Sequence, residues 1–380
     1  MARRRITGPA GSARAAAGEF GIEELSARAY TIPTDAPEAD GTLSWEETTI
    51  VVAQARSAEQ VGLGYSYVAA PAAALIEGVL AAAVTGSDAM SPPAAWERMR
   101  AAVRNIGYPG VAACAISAVD TALWDLKARL LDVSLSTLLG AVREQVPVYG
   151  SGGFTSYTDA QLARQLAGWV REGIAAVKMK VGSEPERDTE RVRRAREVIG
   201  RGAELYVDAN GAYERKQALR LAELFWEQSR VSWFEEPVSC DDLEGLRMLR
   251  DRAPAPMRIA AGEYGYEPAY FQRMLASGAV DVLQADVTRC GGITQMLQVG
   301  ALCAAAAVPM SAHAAPSLHA HVCAAIVAVE DIEYFHDHAR IEAMLFDGLP
   351  ELLEGALRPD PDRPGHGLEL REPDAERYRV

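Results

Sequence analysis

Lys178 and Lys180 stand one residue apart in Val177-Lys178-Met179-Lys180-Val181-Gly182, a short apolar run of period two. Residues i and i+2 of a strand project to the same side, so both amines look the same way. Three apolar runs downstream end in acids: Val207-Asp208-Ala209-Asn210, Trp233-Phe234-Glu235-Glu236-Pro237 and Ala261-Gly262-Glu263. Three gathered carboxylates require a cation. An all-oxygen set favours a hard ion, and Mg²⁺, with water and a substrate oxygen completing six ligands, suits it best. Zinc would want His or Cys. Lys178, by disfavouring a second positive charge, is expected to lower the pKa of Lys180 toward use as a base. Together these are parts for removing a proton from carbon.

The elements that must position them have a clear rhythm. After residue 141, eight apolar runs alternate with helix-length segments: Val146-Gly150, Ala176-Val181, Glu204-Ala209, Ser232-Glu235, Arg258-Gly262, Val282-Ala285, Val308-Ala312 and Ile332-Phe335. Eight βα units predict a (β/α)₈ barrel of the TIM type. An open doubly wound sheet is the alternative, but no G-x-G-x-x-G follows any run. Seven consecutive runs carry a charged or ionisable residue at or just past the C-terminal end: Lys178 and Lys180, Asp208, Glu235, Glu263, Asp286, His313 and Glu333. In barrels that end carries the active site. Asp208, Glu235 and Glu263 fall on adjacent strands and converge. Lys180 and His313 then flank them from opposite sides, and Asp286 orients His313 as a base. Glu333, if protonated, would hydrogen-bond a substrate carboxylate oxygen turned away from the metal. Such a site supports abstraction of a proton α to a carboxylate, with the cation stabilising the developing enediolate.

Ahead of the barrel, residues 23–141 read as an α+β unit: strands at Ser26-Thr34, Glu46-Ala55 and Gly62-Val68, an acidic loop Asp35-Ser44 between the first two, then helices including Ala113-Leu131. Residues 1–22, with Arg3-Arg4-Arg5, read as a disordered leader; residues 142–350 as the barrel; residues 351–380 as a segment packing back on the N-terminal unit. A formal charge of −14 without a basic stripe argues against a nucleic-acid partner. No apolar run reaches the ~18 residues of a membrane helix. Five scattered cysteines without a C-x-x-C read as reduced thiols in a cytoplasm.

The motifs Lys178-Met179-Lys180, Val207-Asp208-Ala209-Asn210, Phe234-Glu235-Glu236-Pro237, Gly262-Glu263, Asp286 with Gly291-Gly292 behind it, Pro309-Met310-Ser311-Ala312-His313 and Ile332-Glu333-Tyr334 resemble the enolase superfamily, and within it the mandelate racemase subgroup. The resemblance runs from about Glu23 to Leu370. The Lys-x-Lys plus His/Asp combination separates this subgroup from muconate-lactonizing relatives, which use a sixth-strand lysine in place of the histidine. In that superfamily a Lys or His base works with Mg²⁺. The resemblance implies Mg²⁺ on Asp208, Glu235 and Glu263, Lys180 as base for one face, and His313 with Asp286 for the other. It implies substrate contacts from Lys178 and Asn210, and enediolate stabilisation by Glu333. It further implies capping loops over the barrel mouth, here Thr31-Trp45 and Gly62-Tyr67, and a symmetric homo-oligomer.

The reaction implied is dehydration of a sugar acid, a small-molecule carboxylate; the alternative is a racemase or epimerase of a 2-hydroxy acid using Lys180 and His313 on opposite faces. With Asp35, Glu38, Asp40 and Trp45 in the capping loop, monoacids are expected over diacids, whose far carboxylate would need Arg289 to reach it. Tyr264, Tyr266, His336 and His338 are further specificity candidates, though the two histidines equally suit capping the helix that follows. A non-catalytic metal-stabilised binding protein would need no base on each face. An N-acylamino acid or dipeptide racemase would want a second lysine where Asp286 stands.

Overall fold

The computed structural model describes residues 20–380. Residues 1–19, and with them most of the expected leader, lie outside the described residues. Phe20 to Ile22 do not belong to a leader: Ile22 is buried, and backbone hydrogen bonds join Phe20 and Ile22 to residues 86–89. Two apolar residues alternating along a paired backbone explain that docking.

Three antiparallel strands, β1 (Glu24–Ala39), β2 (Ser44–Ser57) and β3 (Gln60–Tyr67), form the N-terminal sheet in the order β1-β2-β3. The expected loop at Asp35-Ser44 is mostly strand. Pairing resumes at Glu38↔Trp45 and Ala39↔Ser44 after a register shift beyond Pro33, and the reversal shrinks to Asp40–Leu43. The prolines and acids that signal a turn sit on an edge strand, where a missing N–H costs no ladder bond. Glu38 is fully buried there and accepts a hydrogen bond from Trp45 Nε1 at 2.9 Å. The sheet lies on helix Val111–Leu130, whose apolar stripe packs with Val51, Ala53 and Ala55. Gly62 and Gly64 make this approach possible, since a Cβ at either would meet Ala122 O or Ala118 O at 2.2 Å.

Eight parallel strands then close a barrel: β4 (Val146–Gly152), β5 (Ala176–Lys180), β6 (Glu204–Asp208), β7 (Val231–Glu235), β8 (Arg258–Ala261), β9 (Val282–Ala285), β10 (Met310–Ala312) and β11 (Val329–Phe335), with β11 pairing β4. A helix follows each strand, and the continuous core between strands and helices is apolar. The inward layer is different. Tyr149, Ala176, Tyr206, Trp233, Ala260 and Val282, one from each of six strands, form a separate buried cluster with Tyr206 stacked on Trp233 at 5.1 Å. This floor fills the barrel below the polar strand ends.

Residues 351–358 do not pack on the N-terminal unit. They form a hairpin whose second strand pairs antiparallel with β4 (Ala356↔Pro147), because β4 extends beyond its parallel partners at its start. Residues after 358 do reach the N-terminal unit: His366 N donates to Asp125 at 2.8 Å, and Val380 N donates to Ala29 O at 3.1 Å.

The two domains meet through buried polar groups. Ser66 Oγ donates to Thr288 O at 2.6 Å, Trp96 Nε1 to Gly291 O at 2.7 Å, and Tyr65 OH to Glu342 Oε1 at 2.7 Å. Burial raises the Glu342 carboxyl to about 7 despite its hydrogen bonds from Ser317 and Tyr65. A value above the ordinary carboxyl range means that stability is fully present below about pH 4.5 and is lost as pH rises through 7. Glu342→Gln is therefore expected to remove a loss on the order of 3 kcal/mol between pH 4.5 and 8. Denaturant midpoints at the two pH values check this; an unchanged pH slope in the variant contradicts it.

Candidate active site

Strand register builds the site. Lys180 pairs with Asp208, and Asp208 with Glu235, so three ionisable residues form one row across β5, β6 and β7. Glu263 completes the set from beyond β8. Gly262 before it has φ +139°, and a Cβ there would meet Gln284 O at 2.1 Å, so only glycine lets the chain deliver Glu263 inward. Asp208, Glu235 and Glu263 each offer an oxygen within 4.8 Å of the others, and all three are buried.

The amines and the imidazole approach this trio from different sides. Lys180 Nζ bonds Asp208 Oδ2. On the other flank, His313 Nε2 lies 2.9 Å from Glu263 Oε2, while its Nδ1 bonds Asp286 Oδ2 at 2.8 Å. The other Asp286 oxygen accepts from Thr288 N and Oγ1, both at 2.7 Å. With a carboxylate on each nitrogen, the imidazole overcomes its burial and is held up at about 10, Glu263 contributing most. The same histidine and Arg289 hold Asp286 below the usual carboxylate range against its burial.

Two expectations about the lysines change. Burial and Lys178 do press Lys180 toward neutrality, but the adjacent Asp208 carboxylate outweighs them, and its amine sits above the ordinary lysine value. Lys178 is wholly buried beneath the mouth, its Nζ 2.6 Å from Glu235 and 2.8 Å from Glu333. It is not among the residues lining the cavity, and its contacts are with those two carboxylates and, at 3.7 Å, Asp208. Glu333 is reached from other strands by two cationic partners. Burial opposes its charge, but Lys178 and His313 hold it ionised at about 2. It accepts from Ser151 Oγ at 2.6 Å and from Ala314 N at 3.0 Å.

Above the trio lies a cavity of about 450 Å³, lined on the barrel side by Lys180, Asn210, Glu263, Arg289 and His313, and on the capping side by Asp40, Trp45, Glu47, Thr48, Thr49 and Tyr67. Asn210 has a buried Oδ1 without a hydrogen-bond partner. Arg289 lines the cavity, yet its guanidinium is 3.5 Å from Glu263 and 3.6 Å from Asp286. Tyr264 and His338 are in the lining; Tyr266 and His336 are not. His336 instead bonds Asp35 at 3.0 Å, tying β1 to the end of β11. Of the expected capping segment Gly62-Tyr67, only Tyr67 reaches the cavity, because Gly62 and Gly64 face the helix.

Sequence reasoning missed five residues near the site. Ser151 lies one residue beyond the apolar run that ends at Gly150. Glu236, buried at φ +36° beside Glu235, reads as part of a motif and not as a separate acid. Glu47, Thr48 and Thr49 alternate like any strand, and nothing in their types marks the one face that meets the barrel.

The chain matches the mandelate racemase / muconate lactonizing enzyme N-terminal domain over residues 27–140 and the enolase C-terminal domain-like family over residues 161–375. It is 32% identical to L-talarate/galactarate dehydratase of Salmonella typhimurium over 86% of this chain and 81% of that protein. A crystal structure of that enzyme liganded with Mg and L-lyxarohydroxamate superposes with a TM-score of 0.86 at 28% identity, covering 100% of this chain and 97% of that one. Arabinonate dehydratase of Saccharolobus solfataricus is 31% identical over 75% of this chain and 77% of that protein. A mandelate racemase/muconate lactonizing enzyme-like protein from Rubrobacter xylanophilus has a TM-score of 0.93 and 54% identity, covering 95% of this chain and all of that one. The chain belongs to the mandelate racemase/muconate lactonizing enzyme family of the enolase superfamily.

Lys178 neutralises two buried carboxylates at once, and removing one partner of a buried pair strands the other. Lys178→Met is expected to lower unfolding free energy by about 3–5 kcal/mol. Guanidinium denaturation measures it; a loss below 1 kcal/mol would show the amine to be dispensable for folding.

Proposed function

We propose that this protein is a Mg²⁺-dependent dehydratase that removes the α-proton of a sugar acid and expels its β-hydroxyl. The observation carrying this reading is the pairing of Lys180 on one flank and the His313–Asp286 dyad on the other, around three buried acids under a single cavity. The donor set fits a hard divalent ion. It is all oxygen, and buried Glu235 Oε1 and Glu236 Oε1 have no hydrogen-bond partner. Asp208, Glu235 and Glu263 would hold the ion. When bound there, Mg²⁺ supplies positive charge that lowers the cost of forming an enediolate.

The chain's own residues supply the rest. Lys180, once Asp208 is engaged by an ion and no longer holds the amine charged, would take the α-proton as a neutral amine from its side of the cavity. Its approach is fixed because Arg191 clamps the Lys180 carbonyl and those of Gly153 and Phe154. His313, oriented by Asp286, delivers a proton to the departing hydroxyl. Trp45, Tyr67 and the threonines of β2 close the site from above and exclude water. Arg289 is engaged by Glu263 and Asp286, and the capping side presents Asp40 and Glu47, so a hydroxyl-rich monoacid suits the far end better than a diacid. The relatives named arabinonate and L-talarate/galactarate dehydratase support dehydration of sugar acids as the reaction type.

Racemisation or epimerisation is the second reading, favoured by the same opposed pair, since one group removes a proton and the other returns it behind. Incubation with a panel of aldonates and aldarates, assayed for 2-keto-3-deoxy acid and by polarimetry, separates the two. The expected result is keto-acid from an aldonate. Turnover of glucarate or galactarate with none of any aldonate would overturn the monoacid preference, and optical change without keto-acid would favour the racemase.

Two further outcomes bear on the residues. In D₂O, Lys180→Ala should abolish α-proton exchange on one face by about 100-fold or more while His313-dependent exchange on the other survives; equal loss on both contradicts opposed groups. EDTA should remove activity and added Mg²⁺ restore it; full activity in excess chelator excludes the metal.

A further inference from the structure

His319 sits on helix Pro316–Ala324, fully buried and without access to the cavity. Its two ring nitrogens do different things. Nδ1–H donates to Ala314 O at 2.7 Å, and Nε2 accepts from Val287 N at 3.0 Å. These partners fix one neutral tautomer, with the proton on Nδ1. Ala314 follows His313 directly, and Val287 follows Asp286 directly.

The backbone it touches is strained. Ala314 and Ala315 have φ +51° and +38°, left-handed values that cost alanine of order 1 kcal/mol or more each. Such a turn persists only if its surroundings hold it. Ala314 N–H is held by Glu333, Ala314 C=O by His319, and Ala315 N–H by His338 Nδ1 at 3.2 Å. The His319 ring is the one group of these three that also bonds the segment just past β9, at Val287 beside Asp286.

We infer that His319 is a positioning residue for the proposed proton-transfer dyad, clamping the backbone behind His313 to the backbone behind Asp286 so that the imidazole and the carboxylate keep their alignment. The inference deepens the proposed reaction and rests on it only for its catalytic consequence; the clamp itself is observable without substrate.

Histidine-labelled protein, saturated with Mg²⁺ at pH 7 and examined by long-range ¹H–¹⁵N NMR, tests it. The six histidines of the chain are assigned by single substitution. His319 is expected as the neutral Nδ1–H tautomer, and the Nδ1–H of His313 as a low-field resonance. His319→Ala should broaden or shift that resonance away. His319→Gln, whose amide reaches the Nε2 position and can accept from Val287 N but not also donate to Ala314 O, should do the same; His319→Asn, whose amide reaches the Nδ1 position and can donate to Ala314 O, should retain it in part. In D₂O with arabinonate and galactarate as probes, His319→Ala should slow exchange on the His313 face by about tenfold or more and leave the Lys180 face within about twofold. The inference is overturned by a proton on Nε2 of wild-type His319, by an unmoved His313 resonance in the Ala and Gln variants, or by equal slowing of both faces. If His319→Ala does not fold, the wild-type tautomer and the Gln and Asn variants decide. Absence of exchange in the wild type would count against the proposed reaction and leave the NMR result standing.

Discussion

Two carboxylates 4.8 Å apart repel by roughly 3 kcal/mol at an effective dielectric constant of about 20, and the barrel mouth buries three of them within that distance of one another. Asp286 and Glu333 lie buried nearby and are held in the charged form, so the excess of negative charge is larger still, and burial with the neighbouring Glu263 pushes Glu236 up toward its neutral form. The rest of the site answers this repulsion. Lys178 lies between Glu235 and Glu333, Lys180 on Asp208, His313 between Glu263 and Asp286, and Arg289 beside the last two. The perturbations follow from that placement: Glu235 is raised to about 8 by burial and Asp208, while Glu263 is held low because His313 and Arg289 outweigh its burial. A divalent ion among the acids would relieve the same repulsion and release the two flanking groups for a substrate.

The scaffold keeps these charges in place at both ends. Below them, the ring of Tyr149, Tyr206 and Trp233 fills the barrel and excludes water, and Lys178 Nζ rests 5.3 Å from the Tyr149 ring. Above them, the N-terminal domain covers the mouth while gripping the segment behind Asp286: Gly291 N donates to Ser117, Thr294 N and Oγ1 donate to Asp120. One helix, Val111–Leu130, thus carries the capping sheet on one side and braces the β9 loop on the other. Local strain collects where the chain leaves each strand. Asn210, Glu236, Ala314 and Ala315 all adopt positive φ immediately beyond strands that deliver charged groups.

Much of this was legible in the sequence for a physical reason. A parallel strand buried on both faces reads as an unbroken apolar run, and a polar residue at the end of one such run after another has no packing purpose. The runs from Val146 to Phe335 therefore match β4–β11 closely, with Lys180, Asp208 and Glu235 at strand ends, Asp286 and His313 one residue past them, and Glu333 two residues before the end of β11. What could not be read was the sign of a charge interaction. Lys178 lies next to Lys180 in sequence, but Asp208 lies next to it in space through strand register, and the nearer carboxylate wins. The condition set on Glu333, that it be protonated, could not be judged from sequence for the same reason, since Lys178 and His313 reach it from other strands and favour its charged form. The Asp35–Ala39 stretch misled because turn residues also suit an edge strand, and His319 gave no signal because its partners are backbone groups.

The most direct test of the central claim is a crystal structure of the protein grown with Mn²⁺, with the ion located by its anomalous scattering. One ion coordinated by Asp208, Glu235 and Glu263, with the Lys180 amine and the His313 imidazole facing each other across the space above it, is the expected result. An ion bound elsewhere, or those three acids left without one while Lys180 stays on Asp208 and His313 on Glu263, would contradict the account.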